Sequence, residues 1–175
     1  MHDPGSSRLP MKQGYGGAPL TALVVLRMLI GWHFLYEGLV KFLNPYWTSA
    51  LFLSESQGIF SDSFTWLVTD PSRLAGVDFA VKWGLVLIGL GLIAGVLTRI
   101  ATCAGILLLL LFYLCNPPFP GLSYSVPMEG AYLIVNRTLI EAAALAVLWH
   151  FPTGQIIGLD RLIFQGRRTT GEDDS

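Results

Sequence analysis

The sequence predicts an all-α integral membrane protein, a four-transmembrane-helix bundle with short interfacial helices in its first outer loop. Three observations predict it. Four apolar stretches are about as long as the ~20 residues that a helix needs to cross a ~30 Å hydrocarbon core. Hydrophobic residues make up 53% of the 175 and charged residues only 13%, with a mean hydropathy of +0.56, so a water-soluble surface is hard to build from this chain. The first apolar stretch also places its ionisable residues on one face.

Met1 to Pro19 is polar and rich in Gly and Pro, and is expected to be a mobile cytoplasmic tail. Leu20 to Leu43, LTALVVLRMLIGWHFLYEGLVKFL, is the first span, and no small-residue cleavage site close behind it marks it for removal. It carries Arg27, His33, Glu37 and Lys41. At about 100° per residue these fall about 40° apart within a sector of about 120°, and Asn44 extends the stripe. Ionisable groups cost roughly 2.5 to 3.5 kcal/mol each inside a spanning helix, so such a stripe faces protein or water instead of lipid.

Asn44 and Pro45 end the first helix, and up to Asp78 short apolar patches alternate with polar breaks. None of these patches is long enough to span. Tyr46, Trp47 and Trp66 suit the headgroup region, which predicts short helices at the membrane surface or capping the bundle. Phe79 to Leu97 is the second span, Thr98 and Arg99 a tight connection, and Ile100 to Cys115 the third span. Gly91 with Gly95 and Ala101 with Gly105 are small-xxx-small pairs, which let two backbones approach closely in lipid and predict an antiparallel hairpin. Asn116 to Gly130 holds four prolines and reads as an irregular loop. The fourth span runs from about Ala131 to Phe151 and carries Asn136, Arg137 and Glu141. FPTGQIIGLDRLIF follows as a short amphipathic segment, and residues 165–175 read as a second cytoplasmic tail, leaving 20–164 as the membrane domain.

Basic residues set the topology. Arg8, Lys12, Arg99, Arg161, Arg167 and Arg168 share one side of a four-span arrangement, while Arg73 lies opposite among Glu55, Asp62, Asp70, Asp78 and Glu129. The positive-inside rule puts both termini in the cytoplasm and the two longer loops outside. Matching by depth then pairs Glu37 with Arg137 and Arg27 with Glu141, with Lys41 and Lys82 near the outer boundary. These pairs serve either to fix helix register or to line a polar cavity open to the outer side. His33, near the midplane, is suited to relaying protons, donating to a quinone carbonyl or ligating a metal, or else to serving as a hydrogen-bonded histidine of the bundle. Cys103 and Cys115 are twelve residues apart, about 18 Å along a helix and too far for a bridge, and there is no CxxC pair. No phosphate loop, nucleophile elbow, metal-ligand spacing or nucleic-acid surface is present in the sequence.

RMLIGWHFLYEGLVKF followed by NPYW, then GLVLIGLGLIAGVLTRIA and the late GLD, resemble the DoxX superfamily, specifically the DoxD-like branch that includes the small membrane subunit of thiosulfate:quinone oxidoreductase. SVPMEG and IVNRTLIE also resemble DoxX-like proteins of Bacteroidetes. The resemblance covers about Leu20 to Phe164. It implies a four-helix membrane fold and redox chemistry at the quinone pool. In that reading Glu37 and His33 handle protons, and Arg137, Lys41 and Lys82 attract an anionic or polar headgroup. Arg27, Asn136 and Glu141 are further binding candidates. No intrinsic cofactor is evident, so a quinone is the expected acceptor and a soluble partner protein the donor; homo-oligomers are the other expected protein contact. A non-catalytic anchor and a small-solute carrier are the alternatives that use the same stripe.

Overall fold

The computed structural model describes residues 17–122, 124–125, 133–151, 153–155 and 157–159. The expected tails lie outside these residues except for 17–19, which form the first turn of a helix. Helix α1 is Gly17–Leu43. Its Pro19 costs nothing there, because the first turn has no backbone acceptor to offer its missing N–H. Two short helices follow, α2 at Ala50–Ser54 and α3 at Ser61–Val68, then α4 at Pro71–Ala94 and α5 at Thr98–Cys115. Helix α6 is Arg137–His150, and a single 3-10 turn at Thr153–Gln155 comes after it.

Local chemistry sets the ends. Helix α4 begins eight residues before the apolar run because Asp70 caps it, accepting from Ser72 N–H at 2.8 Å, and Pro71 occupies the position where its fixed φ suits a helix. The Ser72 hydroxyl also donates to that carboxylate at 2.7 Å, and together these bonds hold Asp70 below the usual carboxylate range. At its far end α4 stops at Ala94, since Gly95 turns left-handed at φ 65° and its N–H bonds back to Gly91 O. Helix α6 starts at Arg137 because the Asn136 side chain accepts from Leu139 N at 2.9 Å. It is therefore shorter than the span expected from about residue 131, whose first residues lie outside those described.

Three helices, α1, α4 and α5, are long and apolar enough to cross a membrane. With α6 they form an antiparallel bundle in which α1 packs on α4, α4 on α5, α5 on α6, and α6 lies back against α1. The core is a column of apolar side chains, among them Ile30, Phe34, Ile88, Leu92, Leu109, Leu145 and Leu148. Large apolar side chains also cover the outside, including Leu29, Trp32, Leu87, Leu107 and Val147. Such a surface suits contact with the lipid bilayer and not with water.

At one end the α2–α3 connection is bolted to the bundle. Ser49 N–H and its hydroxyl both donate to Asp78 Oδ1, at 2.8 and 2.5 Å. Ser56 donates to Cys115 O at 2.7 Å, and Asn116 Nδ2 to Phe52 O at 3.0 Å. The corner into α4 is closed by Arg73, which stacks 3.8 Å from the Trp66 ring centroid.

Candidate functional site

Helical periodicity turns His33, Glu37 and Lys41 of α1 toward α6, where Arg137 and Glu141 stand one turn apart on the facing side. These five residues line one cleft of about 110 Å³, together with Thr138 and the apolar Phe34, Leu85, Leu109 and Phe112. A larger hollow of about 640 Å³ lies over α3, but it is an open surface concavity with Asp62 as its one ionisable residue. The smaller cleft is where charge is concentrated, and it is the candidate site.

His33 sits at its centre. Nδ1 is 2.7 Å from Glu141 Oε1 and Nε2 is 2.9 Å from an Arg137 terminal nitrogen. A guanidinium has donors only, so Arg137 donates and Nε2 must present its lone pair. The proton therefore resides on Nδ1 and is donated to Glu141. The surroundings select one neutral tautomer, an assignment that follows from the hydrogen-bond partners. Two turns along α1, Lys41 Nζ donates to Glu37 Oε2 at 2.5 Å and to Glu37 O at 3.3 Å. The Glu37 side chain is 39% exposed and that of His33 34%, while Glu141 is 11% exposed, so the cleft is open on the Glu37 side and closes beneath Glu141.

The pairs expected from depth alone do not form as reckoned. Glu141 and Arg137 both meet His33, Glu37 meets Lys41, and Arg27 turns away to the other end of the bundle. The reason is geometric: Glu37 and Arg27 are about 15 Å apart along α1, whereas Arg137 and Glu141 are about 6 Å apart on α6. Both pairs cannot be level at once. His33, between Glu37 and Arg27, can meet both α6 residues.

Arg27 is 3% exposed and donates to Thr153 Oγ1 at 3.2 Å and Ile157 O at 2.9 Å. Gly95 makes this possible, because a Cβ there would lie 3.3 Å from the guanidinium and 2.9 Å from Gly158 Cα. Leu159 N also donates to Ala94 O, so the segment after α6 closes that end of the bundle. Of the other candidates, Asn136 caps α6, and Lys82 lies outside the cleft with its Nζ 5.2 Å from the Trp47 ring centroid. The charge and depth pattern of the sequence does not point to Thr153, Ile157 O or Trp47. The one hint of the first two is the pair of glycines in PTGQIIG, which permits close backbone approach.

The arrangement can hold a proton between an imidazole and a carboxylate, and it can present Lys41 and Arg137 to a negatively polarised oxygen at the open side. Among the described residues, no group of three or more His, Cys, Asp or Glu converges as a metal site would require. Comparisons of the chain with protein-family models, with curated proteins and with solved structures return no match.

Proposed function

We propose that the chain is a DoxX-type, four-span protein of the bacterial inner membrane with both termini in the cytoplasm. In this reading it is the membrane subunit of a quinone-linked oxidoreductase, and a soluble donor enzyme is its partner. The observation that carries the reading is the cleft itself. Ionisable groups in the middle of apolar helices cost roughly 2.5 to 3.5 kcal/mol each, and here His33, Glu37 and Glu141 lie within their helices while Lys41 and Arg137, at helix ends, close the same half-open cavity, a concentration of charge beyond what fixing helix register needs. Helix α6 rises about 21 Å over its 14 residues and exposes Ile140, Val147 and Trp149 as the longer helices expose their apolar side chains, which supports counting it as the fourth span.

A cleft of about 110 Å³ has room for three or four waters at about 30 Å³ each, well below the ~300 Å³ of a pocket enclosing a drug-sized ligand. It fits one polar edge of a quinone ring and not a substituted ring with its tail. Lys41 and Arg137 are the residues that would hold a carbonyl oxygen there. A bound quinone supplies the capacity to accept two electrons and two protons. The chain's own residues hold the proton on His33 Nδ1 against Glu141, keep Glu37 paired with Lys41 at the mouth, and exclude water below Phe34.

A second reading, the non-catalytic anchor, is favoured by a specific observation: each of the five charged or titratable residues already has a partner inside the bundle. One experiment separates the two. Lipophilic molecules retained by gently purified protein are identified by mass spectrometry for wild type and Glu37→Gln. The oxidoreductase reading expects a quinone with wild type and about ten-fold less with a folded variant, a loss of about 1.4 kcal/mol in binding. Phospholipid alone in both samples would transfer the weight to the anchor.

A further inference from the structure

Beside the cleft, two lysines converge on one indole. Lys41 Nζ is 5.7 Å and Lys82 Nζ 5.2 Å from the centroid of the Trp47 ring, both within the ~6 Å of a cation–π contact. Lys41 is paired with Glu37, whose side chain is 39% exposed. Among the described residues Lys82 has no carboxylate partner, and the acid one turn before it on α4, Asp78, is occupied by Ser49. The Trp47 indole N–H, a donor only, has no acceptor among the described residues. Among the described residues, this corner of the bundle thus carries one uncompensated positive charge and an unused donor.

Its level in the bilayer is marked by independent residues. Phe42 and Trp83, the sequence neighbours of Lys41 and Lys82, meet edge to face at 5.1 Å, and Phe79 lies 6.1 Å from Trp83. All three are exposed. An exposed aromatic cluster where the apolar parts of two helices end is what marks the boundary between hydrocarbon and headgroups. At that boundary the abundant anion is the phosphate of a lipid headgroup.

We propose that Lys82, with Trp47 and Lys41, binds the phosphodiester of a phospholipid, whose acyl chains run along Phe42, Phe79 and Trp83. The Lys82 ammonium and the indole N–H donate to the non-bridging oxygens, and Lys41 adds positive field that Glu37 only partly cancels. This requires that the bundle sit in a membrane and is independent of any quinone.

The test uses the full chain, delipidated in mild detergent and titrated with short-chain phosphatidylglycerol, with bound lipid read by native mass spectrometry. Wild type is expected to hold one lipid more tightly than the rest. Lys82→Gln is expected to weaken that binding about ten-fold, and Lys82→Arg to keep it. Unchanged binding in folded Lys82→Gln would overturn the site. Should that variant not fold, Trp47→Leu takes its place, with weakened binding expected and unchanged binding overturning the proposal. Displacement of the lipid by inorganic phosphate would overturn the lipid as the source of the phosphate.

Discussion

His33 is gripped from both sides by residues one turn apart on α6, and that grip makes its removal informative. In His33→Leu the Glu141 carboxylate loses its donor in a setting where its side chain is only 11% exposed. Leaving a mostly buried acceptor unpaired costs about 1 to 3 kcal/mol. His33→Leu is therefore expected to melt below wild type in the same detergent, and adding Glu141→Leu is expected to restore much of the loss, because the second change removes the mostly buried unpaired carboxylate, while Arg137, which also loses His33, is exposed. A double variant no more stable than the single one would show that Glu141 does not depend on His33. The direction in which His33 points was legible in the sequence, because helical periodicity places Arg27, His33, Glu37 and Lys41 on one face. Its partners were not. They depend on where α6 sits along α1, which follows from packing between segments a hundred residues apart.

The same distinction holds for whole helices. Helix α1 approaches α4 closely along a line of glycines: a Cβ on Gly38 would lie 2.9 Å from Val86 N, and one on Gly89 would lie 2.5 Å from Leu35 N. Lipid offers no hydrophobic drive for two helices to associate, so van der Waals contact at such seams has to hold them. Gly84, on the same helix as Gly89, has nothing within 4 Å of its Cβ position. Gly84→Ala is expected to be neutral or to stabilise by up to about 1 kcal/mol through helix propensity. Gly89→Ala is expected to destabilise by about 1 to 3 kcal/mol, since backbone cannot yield as a side-chain end can. Thermal unfolding of the two variants side by side decides the matter, and equal stability would mean that the seam is not tight. Of the small-residue pairs that predicted the α4–α5 hairpin, Gly91 does meet Ala101 and Gly105 meets Ile88 of α4, but Gly95 ends the helix and the nearest neighbour of Gly105 is Leu145 of α6. Spacing identifies small residues and leaves open which neighbour uses them. The α1–α4 seam, between helices separated by a long connection, had no local signature at all.

Across the molecule the two ends of the bundle are built differently, and this gives the cleft a direction. Toward the hairpin end, Ile30, Phe34, Leu92, Leu145 and Leu148 form a dry layer, with Leu92 and Leu145 fully buried. Beyond that layer the tie from Arg27 to Thr153 and Ile157 draws the segment after α6 across the opening. Toward the α2–α3 end, Glu37 and His33 are partly exposed and Arg137 is exposed. An ion or a water file entering from the hairpin end would have to cross the apolar layer unsolvated, which is the costly route. A cysteine placed in the cleft at Thr138→Cys, in a chain whose lipid-facing Cys103 is replaced by Ala and whose Cys115 is 1% exposed, reports the direction. In sealed vesicles it is expected to react with a membrane-impermeant maleimide from the side that labels Ser63→Cys on α3. Using α3 as the reference makes the comparison independent of which way the chain is inserted. Labelling of Thr138→Cys from the opposite side alone would mean that the layer around Phe34 and Leu145 opens. The tie at Arg27 would then be a gate instead of a closure.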